Sequence, residues 1–202
     1  MRIIRTVSML LLLCALTISS KAQSPTQNYV MSKEVLDVGG THAITTVTYY
    51  DGLGNPVETA TNRLGGTGKY AYTLQEHDAL GREKQSWLPG TAQSGCSFVS
   101  PSELSSSLIT FHKDRNPYSV NSYDALDRQV STLDAGESWH TAKKSVEQRY
   151  GSNEANCIKR YQVSGSGSLV ENGYYAANSL SMLEVTDEDG KTKQTFSDLF
   201  GN

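Results

Sequence analysis

The residues whose types and spacing could do chemistry form small groups, and the first two are a glycine-rich run and an acidic run. Residues 64–70 are close to a phosphate-binding loop, but Arg63 stands where the first glycine is required and Tyr70 replaces the Ser or Thr. Residues 187–190 could offer carboxylates to Ca²⁺, but the third Asp and the distal Glu of a calcium-binding loop are missing. We expect a hairpin loop and a turn at these places, and the sequence predicts no metal and no cofactor.

Histidines and nucleophiles give no stronger indication of catalysis. The four histidines are not spaced as metal ligands, either with each other or with cysteine: His42, His77, His112 and His140. There is no nucleophile elbow, and no serine can be matched to a His and an Asp from the sequence alone. The sequence does not exclude a pair of carboxylates that could hydrolyse a glycoside, although no motif indicates one. The sequence therefore predicts that the protein is not an enzyme.

The aromatic residues leave two interpretations open. The chain has 11 Tyr, four Phe and two Trp, and exposed rings could stack on a glycan. Aromatic residues are also enriched in strands for packing reasons. The residues that would line a buried sheet face are Tyr50, Tyr72, Trp87, Tyr123 and Phe196. We favour packing and keep carbohydrate binding as the alternative.

A six-residue phrase with Asp at its second position occurs five times, and it indicates the elements that position these residues. The copies begin at residues 50, 77, 123, 186 and 197, and their turn residues are Tyr50, Asp51, Gly54, Asp78, Gly81, Arg82, Tyr123, Asp124, Arg128, Asp187, Gly190, Asp198 and Gly201. Asp at the first corner of a type I turn accepts a backbone N–H two residues on, and Gly three residues later takes a positive φ. Asp127 replaces that Gly in the third copy, and Asp tolerates the left-handed region better than most residues. The phrase therefore predicts hairpin tips.

The segments beside these tips predict β-strands, because β-branched and aromatic residues roughly alternate with polar ones. The flanking segments are residues 44–50, 57–61, 70–74, 84–88, 183–186 and 192–196. Residues 145–150 and 157–163 predict one more hairpin that turns at residues 151–153. Residues 164–168, which contain only Ser and Gly, predict a flexible loop.

One helix is predicted in the middle of the chain. Ser100, Pro101 and Glu103 form a capping box with proline at the first helical position, so residues 101 to about 109 predict a helix. The predicted fold class is mostly β: antiparallel β-hairpin repeats form a curved or spiral sheet, with at most one short helix.

The copies at residues 50–55, 77–82 and 123–128 resemble the YD repeat of RHS proteins, a large bacterial family. Residues 47–59 and 74–89 also resemble the domain of unknown function that opens many such proteins just after a signal peptide. The resemblance implies hairpins wound into a spiral shell, which encloses a C-terminal toxin or effector or presents adhesive surfaces. It implies that the partners are further RHS repeats of the same or a longer chain, an enclosed effector or a glycan.

The first 22 residues predict a secretory signal peptide. Arg2 and Arg5 precede an apolar stretch at residues 7–18, which is too short to span a bilayer. We expect export to the periplasm, cell surface or medium, with no transmembrane segment after cleavage. The predicted organisation is a signal peptide at 1–22, a polar lead-in at 23–28 and a β-hairpin domain at 29–202, truncated within a repeat so that further repeats would follow.

Charge and cysteine content limit the partners. The chain has 18 basic and 21 acidic residues, and cleavage would remove three basic residues, which leaves a formal charge of −6. This balance argues against a nucleic-acid partner, whose binding depends on basic contacts. Cys96 and Cys157 would remain after cleavage, and export permits a disulfide between them or two unpaired thiols.

Overall fold

The computed structural model describes residues 26–40, 42–62, 70–92 and 95–201, and these residues form thirteen strands and two helices. The strands are β1 (Asn28–Val35), β2 (Ala43–Tyr50), β3 (Pro56–Thr61), β4 (Ala71–His77), β5 (Glu83–Trp87), β6 (Gly90–Thr91), β7 (Tyr118–Tyr123), β8 (Gln129–Leu133), β9 (Ser145–Ser152), β10 (Lys159–Val163), β11 (Leu169–Tyr174), β12 (Ser181–Thr186) and β13 (Thr192–Ser197). The helices are α1 (Pro101–His112) and α2 (Glu137–Ala142). The predicted signal peptide, Arg63 and most of the glycine-rich run lie outside the described residues.

The sheet is antiparallel throughout and follows the chain almost strand by strand. Its order is β1-β2-β3-β4-β5-β7-β8-β9-β12-β13, with β6 paired to β4, while β10 and β11 form a separate two-stranded sheet. The large sheet is open, and β1 and β13 are its edge strands. The prediction of a mostly β, antiparallel fold is confirmed.

The core lies where α1 packs on one face of the first strands. Val47 and Tyr49 are fully buried and alternate with half-buried neighbours along β2, as successive strand residues point to opposite faces of a sheet. Leu104 and Leu108, one turn apart on α1, are fully buried against the same cluster. Gly90 allows this approach, because a Cβ there would lie 2.7 Å from the Leu108 side chain.

Three polar side chains hold the segment that leads into α1, residues 95–99, against the sheet. The Tyr49 hydroxyl donates to the carbonyl oxygen of Cys96 at 2.7 Å, and the Tyr72 hydroxyl donates to that of Gly95 at 2.7 Å. The Glu58 carboxylate accepts the N–H of Val99 at 3.1 Å. Glu58 is only 1% exposed, and burial raises its pKa to about 7. A segment without regular structure is thereby fixed across the core.

The prediction of at most one short helix is wrong, because α2 follows β8. The capping box begins α1 as predicted, with Ser100 accepting the N–H of Glu103 and Lys113 ending the helix at φ 53°. The beginning of α2 has no side-chain cap from Gly136; instead Asp114 accepts the N–H of Glu137 at 2.9 Å. A six-residue helix with no buried residue and a cap supplied from elsewhere leaves no periodic pattern to detect.

The prediction of one hairpin from residues 145–150 and 157–163 is also wrong. Strand β9 pairs with β8 and β12, while β10 pairs with β11. Asn153 explains the change of partner, since its buried amide donates to the carbonyl oxygen of Ala176 at 2.7 Å and accepts the N–H of Leu180 at 2.8 Å. These bonds bring β12 back against β9 and leave β10 and β11 as a projecting hairpin.

The candidate disulfide between Cys96 and Cys157 is not formed. Cys96 is buried in the core beside α1, whereas Cys157 is exposed just before the projecting hairpin β10–β11. The fixed segment 95–99 holds Cys96 on the core face of the sheet, away from that hairpin.

Candidate functional site

Each predicted turn is built around its aspartate. Asp78 accepts the N–H of Leu80 at 2.8 Å and that of Arg82 at 3.1 Å, while the Gly81 N–H donates to the Asp78 carbonyl oxygen. The same bonds recur around Asp51, Asp124 and Asp187. The glycines take φ of +89° at Gly54, +80° at Gly81 and Gly190 and +81° at Gly201, and Asp127 takes +61°. The aspartate therefore satisfies backbone donors that a tight hairpin would otherwise leave unpaired.

Most of these tips lie at one end of the sheet. Because neighbouring strands alternate in direction, the connections β2–β3, β4–β5 and β7–β8 all leave at the same end, which we call the tip end. Strand β13 also runs towards this end, so the turn at Asp198 lies there too. The turn at Asp187 lies at the opposite end, where Lys144 at the start of β9 pairs with Asp189 at 3.3 Å. The five copies are therefore not equivalent.

The last residue of each strong copy closes its own turn. Arg82 Nε donates to Asp78 Oδ2 at 2.7 Å, and Arg128 Nε donates to Asp124 Oδ2 at 2.8 Å. In the first copy the Asn55 amide makes the equivalent bond to Asp51 at 2.9 Å. The hydrogen bond from Arg82 lowers the pKa of the Asp78 carboxyl below its ordinary value and raises that of the Arg82 guanidinium.

Both arginines also reach the next strand of the sheet. The Arg82 guanidinium lies over the Tyr123 ring, 4.8 Å from its centre, and its Nη1 is 2.8 Å from Asp127 Oδ1. The Arg128 guanidinium lies over the Tyr150 ring at 4.3 Å. Each arginine thus completes its own tip and contacts the next strand of the sheet, and Arg82 also contacts the following turn.

The first-position tyrosines have different surroundings. Tyr123 lies under Arg82, and its hydroxyl donates to the Glu83 carbonyl oxygen at 2.9 Å. Tyr50 is half-buried at the end of β2, where it pairs with Pro56 in the sheet. The structure therefore brings Arg82 and Tyr123 together and leaves Tyr50 outside this contact.

One turn of the same kind was missed from the sequence. Ser164 donates its backbone N–H to the Ser168 carbonyl oxygen and accepts the Ser168 N–H on its hydroxyl, while Gly167 takes φ +82°. Serine replaces aspartate here, so residues 164–168 form the β10–β11 tip instead of the predicted flexible loop. The Ser-x-x-Gly spacing is the pattern that could have indicated it.

The tips also expose apolar side chains. Leu53, Leu80 and Leu126 occupy the same position in three neighbouring tips and are 82%, 72% and 72% exposed. Between the first two tips and the start of α1 lies a groove of about 440 Å³, where the buried Nδ1 of His77 has no hydrogen-bond partner among the described residues. Those residues contain no cluster of His, Cys, Asp or Glu that could hold a metal ion.

A family model matches residues 20–152 and carries the description "Domain of unknown function (DUF6443)". The chain belongs to the DUF6443 family. The DUF6443 match ends at the last residue of β9, so it contains the three strong copies of the repeat, while the copies at residues 186 and 197 follow it. No curated protein and no solved structure matches the chain. Over the described residues, neither helix has the length and apolar character needed to cross a membrane.

Proposed function

We propose that this DUF6443 chain is a non-catalytic structural and interaction module of an exported protein, the opening wall of an RHS-type repeat shell. The module would pair with further repeats and help to enclose or present an effector carried with them. The observation that carries the proposal is the interlock at the tip end, where Arg82 and Arg128 each join their own turn to the next strand of the sheet.

This interlock supports growth by addition of hairpins. Each hairpin offers only one apolar face and cannot bury it alone, so repeat architectures depend on contacts between neighbours. Here those contacts are made by residues of the repeat phrase itself, Arg82 and Asp127 among them. A further hairpin with the same phrase could form the same arginine contacts with its neighbour.

The edge strand β13 is where such a hairpin would pair. Among the described residues β13 pairs with β12 alone, so the backbone groups on its other side are open to an incoming strand. Strand β13 runs towards the tip end, and the turn at Asp198 follows it there. An added antiparallel strand would continue the alternation of the sheet.

The size and N-terminus of the native product test this proposal. Antibody raised against residues 23–202 is used on fractions of the source cells, with antibody pre-adsorbed on the purified protein as the control. The proposal expects a band far above 22.0 kDa in an exported fraction, with the N-terminus at Gln23 after removal of the signal peptide. A band at or below 22.0 kDa, or an intact Met1, contradicts the shell or the export, respectively.

A second candidate function is adhesion to a glycan, and the projecting hairpin favours it. Tyr161 and Tyr174 are exposed there. The hydrogen bond with Glu171 raises the pKa of Lys159, and the nearby Tyr161 and Tyr174 add to this effect. Lys159 also pairs with Glu171 at 2.9 Å, so two rings and a charged pair share one surface. Titration of the protein with a panel of sugars, followed by tyrosine ring resonances, tests this candidate. Shifts that saturate and disappear in Tyr161→Ala support it.

A further inference from the structure

A second groove, of about 420 Å³, lies at the end of the sheet opposite the tip end. Its polar lining is Ser86, Ser119 and Asp134, and Trp139 of α2 and the end of β5 at Trp87 lie along it as well. The groove uses neither the interlocked tips nor the open side of β13, so a role for it goes beyond the proposed function.

The sheet register places three of these polar residues in a row. Ser86 pairs with Ser119 across β5 and β7, and Val120 pairs with Leu133 across β7 and β8, so Asp134 follows opposite Ser119. Directly opposite residues of an antiparallel sheet share a face. Ser86, Ser119 and Asp134 therefore line one face, and this is the face away from α1, because their neighbour Trp87 belongs to the core.

The groups that face this groove have unused bonding capacity. Among the described residues the Asp134 carboxylate makes no hydrogen bond and no ion pair, and the Trp139 indole N–H has no acceptor. Trp139 is 37% exposed, and its ring lies beside Gly136, where a Cβ would be 3.2 Å from the ring. An open aromatic face and an unpaired carboxylate thus line one concave surface.

We propose that this groove binds the guanidinium group of an arginine side chain in a basic peptide segment of another protein. The protein itself shows the chemistry twice: Arg82 lies over Tyr123 and is held by Asp78, and Arg128 lies over Tyr150 and is held by Asp124. At the groove the aromatic ring and the carboxylate are present, and the cation would come from the partner. Tryptophan is the best aromatic partner for such a cation.

Charge and shape favour arginine over the alternatives. A planar guanidinium can stack on the indole and donate to a carboxylate and to serine oxygens at once, whereas a lysine ammonium cannot stack. A neutral sugar would leave the Asp134 charge without a counter-ion. The excess of 21 acidic over 18 basic residues in the chain also favours a basic partner over a second copy.

The test is a titration of the ¹⁵N-labelled protein with acetyl-Gly-Arg-Gly-amide, followed by the Trp139 indole cross-peak. The backbone amide of Gly81, in a turn at the tip end, is the internal reference, because it lies far from the groove. A peptide with citrulline in place of arginine removes the charge and keeps the planar shape. A peptide with lysine keeps the charge and removes the planar guanidinium, and a panel of sugars tests a neutral ligand. Trp139→Phe assigns the cross-peak, and Asp134→Asn tests the carboxylate. Glu34→Gln, on the edge strand β1, is the matched surface control.

We expect the Trp139 cross-peak to shift with arginine and to saturate, while the Gly81 amide cross-peak stays in place. Citrulline and the Asp134→Asn variant should each weaken binding by about tenfold, and Glu34→Gln should leave it unchanged. No saturable shift, an equal response to citrulline or a response only to sugars would overturn the proposal. A Trp139 shift that grows with protein concentration in the absence of peptide would also overturn it, because the partner would then be a second copy.

Discussion

The guanidinium of Arg82 lies 4.8 Å from the centre of the Tyr123 ring, although the two residues belong to different hairpins. Arg82 is at the same time bound to Asp78 of its own turn at 2.7 Å. Arg128, in the turn of the next hairpin, lies over the Tyr150 ring of β9 in the same way. The residues of the repeated phrase therefore form the turn and also contact the neighbouring strand. This double use is the basis of the structural role that we propose.

Gly81→Val should lower the free energy of unfolding by about 1–3 kcal/mol, because a β-branched residue is strained at positive φ. Gly81 has φ +80°, and an added Cβ would also meet the Asn55 side chain at 3.4 Å. Gly52→Val is the matched control, since Gly52 lies in a neighbouring tip without positive φ and with open space around it. Its effect should stay within about 0.5 kcal/mol in urea unfolding. Equal losses in the two variants would contradict the turn geometry.

The buried carboxyl of Glu58 should make the protein less stable as pH rises. Burial raises its pKa to about 7 from the 4.5 of an exposed Glu, while the N–H of Val99 partly offsets this. The folded protein therefore holds a proton that the unfolded chain releases above pH 4.5. This contribution is complete below pH 4.5 and is lost as pH rises to about 7, up to about 3 kcal/mol.

Glu58→Gln isolates this effect, because glutamine stays neutral and its oxygen can still accept the Val99 N–H. Carboxyls such as Asp51 and Asp78, whose pKa values are lowered, act in the opposite direction at acid pH. They remain in both proteins, so their effect cancels in the difference. The variant should be the more stable protein above pH 7, and its advantage should shrink towards pH 4.5. A difference that does not change with pH would show that Glu58 does not titrate in this range.

Asn153→Ala should cost about 2–4 kcal/mol. The substitution removes the buried amide that binds Ala176 and Leu180. It leaves the buried Leu180 N–H without an acceptor, while the Ala176 carbonyl oxygen keeps its bonds from Ser179. Asn172→Ala, which removes an exposed amide bond to Gln162, is the control and should change stability by less than about 0.5 kcal/mol. Hydrogen exchange of β12 amides should quicken in the first variant only. Unchanged protection would contradict the role of Asn153 in holding β12 on β9.

The two described thiols should differ strongly in reactivity. Cys157 is exposed and should react at once with a maleimide, whereas Cys96 is buried in the core and should react only on unfolding. Mass mapping of the labelled peptides identifies each site. A Cys96–Cys157 peptide recovered without reduction would contradict the structure.

The turns and most strands could be predicted because their causes are local. Asp78 and Gly81 form the turn with backbone groups only a few residues away, and Ser100, Pro101 and Glu103 form the beginning of α1 in the same way. The second helix and the pairing of β9 could not be predicted. Asp114 caps α2 and Asn153 binds Leu180 across long stretches of chain, and no short pattern encodes such contacts.

The candidate site also has a part that the sequence predicts and a part that it does not. The phrase indicated which Asp and Gly residues shape the tips, but it did not indicate that Arg82 would reach Tyr123, because that contact depends on which strands are neighbours. Nor could spacing place Asp134 beside Trp139 in one groove, since the register of β5, β7 and β8 decides it.

A double-mutant cycle between Arg82 and Tyr123 tests most directly whether the repeat couples neighbouring hairpins. The proteins are Arg82→Gln, Tyr123→Leu and the double variant, with Tyr123→Phe as the control that keeps the ring. Urea unfolding should give a coupling energy of about 1 kcal/mol with leucine, and the Arg82→Gln effect should be retained on the phenylalanine background. A coupling energy below about 0.3 kcal/mol would mean that the tips are independent turns, and the interlock would then not hold the hairpins together.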